Sequence, residues 1–178
     1  MNMQIQGTMC GFDTINKIAS KNKIEVNRTK FNALYGQGII KNEKVILLKP
    51  QTYMNLSGQA VREFRNFYKI DDYKIIIIHD DIDIEEGTIK IRNIGGAGTH
   101  NGMKSVVEEL GNKKFYRIRI GIGKPENKID LKDFVLKKID EEKKEIINDA
   151  IIKAAEATEE ILTNGIDIAM NKYNWEDV

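Results

Sequence analysis

The sequence predicts a single-domain α/β fold, a three-layer sandwich in which a mixed, mostly parallel sheet is flanked by helices. Three observations predict it. Segments rich in β-branched residues alternate along the chain with segments of helical periodicity. The segment "KIIIIHDD", residues 74–81, carries four consecutive isoleucines, as a strand buried on both faces requires. With 178 residues, 41% of them hydrophobic, the chain can bury one real core but not two ordinary ones.

The elements follow in order. Phe12, Ile15, Ile18 and Ala19 recur at helical spacing and predict a helix over residues 11–22. "KFNALYGQGII" and "KVILLKP" read as two strands joined by a turn around Asn42, the second stopped by Pro50. Ser57 is the expected N-cap of a helix whose apolar face is Ala60, Val61, Phe64, Phe67 and Tyr68. After the isoleucine strand, "IDIEEGTIKIR" predicts a short hairpin turning at Glu86-Gly87. "GGAG" is a loop, and "HNGMKSVVEEL" opens a helix that Gly111 closes. "FYRIRIGIG" is a further buried strand, and two or three helices are expected from about Asp130, including the pattern over 140–163.

Composition excludes several classes. No stretch approaches the roughly 20 apolar residues that span a bilayer, and the first residues have neither a basic nor an apolar leader region, so a soluble, cytoplasmic protein is expected. A single cysteine, Cys10, cannot form an internal disulfide, and no Cys/His cluster has zinc spacing. The net charge of +1 hides an asymmetry. From Asp71 to Glu86 seven carboxylates face one lysine, whereas from Gly87 to Lys124 eight basic residues face two acidic ones. The second stretch suits a polyanion or a solvated surface equally.

Chemistry-bearing residues cluster next to three expected strand ends. Asn55, in "QTYMNLSG", fits either a turn before the helix or a site. His79, Asp80 and Asp81 stand where the isoleucine strand emerges, and strand exits are where α/β proteins place their sites; a polar turn and a divalent-cation site are the alternatives, the latter without a second set of His or carboxylate partners. In "GGAGTHNGMKS", glycines can bring backbone close to a ligand ahead of a helix N-terminus, or merely form a mobile turn.

In order and spacing, "LLKPQTYMNLSGQAV", "IIHDDIDIEEGTIKIR", "GGAGTHNGMKSV" and "FYRIRIGIGKP" together resemble the bacterial peptidyl-tRNA hydrolase family, from Gly11 to about Asn174. The resemblance implies a monomeric enzyme that cleaves the ester between a stalled peptide and the terminal ribose of tRNA, with no metal and no cofactor. It implies that Asn55 and Asn101 hydrogen-bond the substrate and position water, and that Met54 lines the apolar wall beside the ester. Tyr53, Gly98 and His100 belong to the substrate-binding set on the same grounds. Asp80 would orient a catalytic imidazole, whose pKa near neutrality suits a base for ester hydrolysis. Arg92, Lys104, Arg117 and Arg119 match or adjoin the family's basic surface for the tRNA acceptor stem and 3′ end.

The pattern breaks at the beginning. The family starts with an apolar strand, a Gly-Asn-Pro-Gly-like loop and a segment close to E-Y-x-N-T-R-H-N-V-G-F, whose histidine is the base. Here only Gly11-Phe12 match, Thr8 stands at the histidine's place, and the first family strand is expected to be missing, leaving its neighbours unpaired and the fold marginal. A permitted codon set for residues 1–10, read one base out of frame, gives E-Y-A-N-T-R-H-N-V. Its E, A and V codons are forced by the methionines and their neighbours. We therefore expect an aberrant segment over 1–10, out of frame through a one-nucleotide shift just before the Gly11 codon, and a family domain over 11–178. A hydrolase family chain that is itself inactive is the leading reading. A non-catalytic RNA-binding member and a metal-dependent phosphohydrolase centred on His79-Asp80 are the competing ones.

Overall fold

The structure is a computed structural model that describes residues 2–6, 9–124 and 141–174, without the side chains of 2–6 and 141–142. Thr8 and the beginning of the helical region expected from Asp130 lie outside the described residues. In chain order the elements are β1 (Asn2–Gln6), α1 (Met9–Lys21), β2 (Arg28–Lys30), β3 (Ala33–Ile40), β4 (Glu43–Pro50), a 3₁₀ turn (Met54–Leu56) and α2 (Ser57–Tyr68). They continue with a 3₁₀ turn (Asp72–Lys74), β5 (Ile75–Asp81), β6 (Ile89–Arg92), α3 (Asn101–Leu110), β7 (Tyr116–Gly121), α4 (Glu141–Asn164) and α5 (Ile166–Tyr173).

The strands form one seven-stranded sheet in the order β2-β3-β4-β1-β5-β7-β6. Its centre, β4-β1-β5-β7, is parallel, and antiparallel pairs complete both edges. Alternation along β4 and β5 divides the core in two. Val45, Leu47, Ile76 and Ile78 pack with α1, α4 and α5, whereas Ile46, Leu48, Ile75 and Ile77 pack with α2 and α3. No helix among the described residues is long and apolar enough to cross a membrane.

Four expectations need correction. The slot of the missing first strand is filled: β1 lies between β4 and β5, with Gln4 opposite both Leu47 and Ile76. Strand pairing is made by main-chain groups, so an unrelated sequence can satisfy both neighbours, and the unpaired edges expected from its loss do not arise. The hairpin expected over "IDIEEGTIKIR" does not form, because β6 pairs with β7, with Ile89 opposite Ile120. Gly121 permits this, since a Cβ there would lie 1.9 Å from the Glu85 carbonyl oxygen.

The single strand expected over residues 30–40 is broken by a tight turn at Phe31-Asn32, both at positive φ (49° and 55°). Edge-on contacts of Phe31 with Phe64 and Phe67 hold that conformation, at 5.5 and 5.7 Å. Finally, Ser57 is not the N-cap of α2. The 3₁₀ turn runs directly into the helix, the Ser57 amide donates to the Met54 carbonyl, and the Gly58 amide donates to Oγ of Ser105 on α3, 3.0 Å away.

The turn around Asn42 is as expected: Lys41 and Asn42 sit at φ 50° and 66° between Ile40 and Glu43, the two-residue hairpin whose twist suits the strands. Gly111 closes α3 at φ 71°, also as expected. On α2, Ala60, Val61 and Phe64 are buried, but Phe67 remains 55% exposed beneath the Lys30 ammonium, 3.3 Å from the ring centre.

Candidate active site

The C-terminal ends of neighbouring parallel strands point the same way, so β4 and β5 deliver their following segments to one side of the sheet. β4 leads to Tyr53 and then to Met54 and Asn55 on the 3₁₀ turn, and β5 ends in His79-Asp80-Asp81. The loop 93–100 delivers Gly98, His100 and Asn101 to the start of α3. Gly102 lets these segments meet. A Cβ there would lie 2.9 Å from Cε1 of His100 and 3.0 Å from Sδ of Met54, so the ring and the thioether converge over the first turn of α3. Tyr53, 82% exposed, Met54, Asn55, Gly98 and Asn101 all face solvent. Among the described residues the Asn55 and Asn101 amides have no hydrogen-bond partner, which leaves them open to a ligand.

Strand alternation splits the His79-Asp80-Asp81 triplet between the two faces. His79 points toward α3 and stacks at a tilt on His100, ring centres 4.8 Å apart. Its Nδ1 lies 2.8 Å from the Asp80 carbonyl oxygen and donates to it. With the ring 3% exposed and a second imidazole beside it, burial first and His100 second push its pKa down to about 3. His100 is the N-cap of α3, its Nδ1 accepting from the Met103 amide at 3.1 Å, and burial lowers its pKa as well. Among the described residues, no three His, Cys, Asp or Glu side chains are grouped as a metal site would require.

Asp80 points the other way, toward the beginning of α1. It is 5% exposed, and its carboxylate lies near the thiol of Cys10. Burial and the carboxylate's charge push the thiol pKa far above its ordinary value, so Cys10 is protonated at neutral pH. Sequence reasoning missed this contact. A lone cysteine in the sequence bears only on disulfide and metal chemistry, and nothing local indicates that the first turn of α1 reaches the end of β5.

The basic stretch also sorts by geometry. Arg92 opposes Arg117 across β6 and β7, and Lys90 opposes Arg119. Like charges placed directly opposite are unfavourable without an anion between them. Arg92 and Lys104 are exposed. Arg119 is partly exposed and donates through Nε to Asp81 at 2.8 Å. Burial raises the Asp81 pKa, but the Arg119 and Asp83 hydrogen bonds outweigh it and the net shift is downward. Arg117, expected on this surface, is not there: it is 2% exposed, its guanidinium lies over Phe115, and it donates to the Gly95 carbonyl. Alternation along β7 fixes the face of each arginine, but only the covering loop decides which of them reaches solvent.

Comparison with known proteins places this geometry in context. A family profile described as peptidyl-tRNA hydrolase matches residues 8–178. Curated peptidyl-tRNA hydrolases from Clostridium botulinum and Clostridium perfringens are 48% identical over 164 residues, covering 92% of this chain and 85% and 86% of those proteins. The crystal structure of peptidyl-tRNA hydrolase from Acinetobacter baumannii superposes with a TM-score of 0.90 at 33% identity, over 98% of this chain and 95% of that one. Uridine phosphorylase from Vibrio fischeri, at a TM-score of 0.58 and 10% identity, shares the fold alone. With that coverage and identity, and with one sheet carrying all four quoted motifs, the chain belongs to the peptidyl-tRNA hydrolase family.

Proposed function

We propose that this chain carries the binding architecture of a peptidyl-tRNA hydrolase, engaging the acceptor stem and 3′ end of peptidyl-tRNA, and that it lacks the base needed to turn substrate over. The observation that carries the reading is the Asp80 carboxylate. It is buried at the end of β5 facing the start of α1, where the Cys10 thiol stands close enough to feel its charge and both histidines of the chain lie elsewhere, on the opposite face of the sheet. A protonated thiol cannot take a proton from water. Neither remaining imidazole is a replacement: the His79 ring is 3% exposed, with its pKa pushed down to about 3 by burial and by His100, and the Nδ1 lone pair of His100 is taken by the Met103 amide. Loss of a general base typically costs about 10²- to 10⁴-fold in rate.

In this reading Asn55 and Asn101 hold the ester and the attacking water, Tyr53 and Met54 form the apolar wall, and Gly98 and His100 line the path of the 3′ end. Arg92, Lys104 and Arg119 meet backbone phosphates, which report helix geometry rather than sequence and so admit many tRNAs. The protein acts in the cytoplasm as a monomer without a metal. Residues 1–10 are read out of frame, and Thr8 stands at the base's place in the family segment.

The test is single-turnover peptide release from peptidyl-tRNA by two proteins: this chain, and one whose residues before Gly11 are replaced by the frame-restored segment ending in H-N-V behind the family's strand and loop. The restored protein is expected to release peptide at least about 100-fold faster, with tRNA affinity of similar salt dependence in both. A family-typical rate from the chain as written defeats the reading. If the restored protein binds tRNA but stays inactive, the same architecture serves RNA binding without hydrolysis, a second reading favoured by the burial of His79 and by the use of the His100 Nδ1 lone pair to cap α3.

A further inference from the structure

Arg117 is a buried cation with no carboxylate at ion-pair distance among the described residues. Its guanidinium stacks 4.2 Å from the centre of the Phe115 ring. NH1 donates to the Phe115 carbonyl at 3.5 Å, NH2 donates to the Gly95 carbonyl, and Nε is buried without a partner. Burial, and then the neighbouring Arg119, push its pKa down to about 10, which still leaves it charged at neutral pH. An interior guanidinium held only by carbonyls and a ring face is expensive compared with an apolar side chain of the same volume. Its position must bring something in return.

The loop over residues 93–99 is what it touches. This segment joins β6 to α3 and contains Gly95, Gly96 and Gly98, the last at φ 58°. Among the described residues, the Arg117 bond to Gly95 is the only side-chain hydrogen bond that any residue of 93–99 takes part in. Apart from it, Ala97 packs at the margin of the core beneath α2 and α3. The loop leads directly into His100, which caps α3, and Asn101.

We propose that Arg117 is a positioning residue of the site: by fixing the Gly95 carbonyl from beneath, it sets the course of the glycine-rich loop and so the placement of Gly98, His100 and Asn101, without contacting a phosphate itself. An arginine is required because its planar fork reaches the Phe115 and Gly95 carbonyls together while sitting over the ring, which the single ammonium of lysine cannot do. The ligand half of this inference rests on the proposed function; the loop half does not.

Two measurements on Arg117→Met, Arg117→Lys and Arg119→Gln test it. In hydrogen exchange on the free protein, Arg117→Met is expected to speed exchange of the Met103 and Lys104 amides, which are bonded to His100, while amides of β5 and β7 stay protected, with Arg117→Lys intermediate and Arg119→Gln unchanged. If Arg117→Met fails to fold, Arg117→Lys supplies this reading. Unchanged exchange at Met103 and Lys104, or loss of protection throughout the sheet, overturns the proposal. In binding, the probes are an acceptor-stem minihelix with its single-stranded 3′ end and the same minihelix without it. Arg117→Met is expected to lose several-fold of the preference for the 3′ end while the slope of log affinity against log salt stays at the parent value. Arg119→Gln should lower that slope by about 0.7 to 0.9, the signature of one lost phosphate contact. A slope reduced by that amount in Arg117→Met overturns the positioning role. If the parent shows no preference for the 3′ end, the proposed function fails, and the exchange result still decides what Arg117 does.

Discussion

The Gly58 amide donates to Oγ of Ser105 across 3.0 Å, so the hydroxyl that caps α2 is supplied by α3, 47 residues further along the chain. The two helices touch so closely there that a Cβ on Gly58 would lie 2.2 Å from the Ser105 carbonyl oxygen. This contact fastens the turn carrying Met54 and Asn55 to the helix that begins with Asn101.

Removing the Ser105 hydroxyl strands a buried amide, so Ser105→Ala is expected to cost about 1–3 kcal/mol in urea unfolding. Gly58→Ala meets backbone rather than a flexible side chain and should cost about 1–3 kcal/mol or more through overpacking. Ser57→Ala, which removes the cap expected from sequence alone, should be the mildest of the three. A larger loss for Ser57→Ala than for Ser105→Ala would falsify this assignment.

Asn174 closes the outer edge of the sheet. Its side-chain oxygen accepts from the Ile91 amide at 2.8 Å and its amide donates to the Ile91 carbonyl at 3.0 Å, copying a neighbouring strand. Asn174→Ala should cost about 1–3 kcal/mol and speed exchange of the Ile91 amide. Retained protection at Ile91 would mean that solvent or another group pairs the edge equally well.

Stability should fall on mild acidification. The folded pKa values of His79 and His100 both lie below the ordinary 6.5, that of His79 at about 3. Between those limits the unfolded chain binds more protons, so the stabilisation is complete above pH 6.5 and is lost as pH falls toward the folded values. Each imidazole contributes a slope of up to about 1.4 kcal/mol per pH unit. His79 faces His100, Asp81 and Arg119, and these two are the only histidines in the chain. Urea midpoints measured from pH 7.5 to 5 should decline, and His79→Asn should flatten the curve. A parent midpoint that does not move over this range contradicts the assignment.

Cys10, the sole thiol of the chain, reports on Asp80. The neighbouring carboxylate opposes ionisation of the thiol by charge, after burial the largest cause of its raised pKa. Asp80→Asn removes the charge while keeping a side chain of the same size, and should bring thiol alkylation to a lower pH. An unchanged pH profile for alkylation would show that the two groups do not interact.

Much of this was legible locally. The isoleucine run of β5, the Lys41-Asn42 turn and the Gly111 stop each depend on residues next to one another, and each is where the sequence puts it. Other features depended on distant partners. The local pattern makes β6 half of a hairpin with the residues before it, yet the strand it joins lies beyond α3. Arg117 and Arg119 look equivalent in "RIRIG", and the loop passing over one of them makes it an interior anchor while the other faces solvent.

The sequence by itself determined the succession of strands and helices, the family, and the threonine at position 8, because periodicity, turn residues and motif spacing are properties of the chain read in order. Only the tertiary structure decided that β1 fills the central slot, that Ser105 caps α2, that Cys10 meets Asp80, and that Arg117 lies beneath the glycine loop. The physical reason is that local pattern encodes which face of an element prefers burial. Which group satisfies a given amide or carboxylate is settled by packing between segments far apart in sequence, and main-chain pairing accepts almost any residue that can extend.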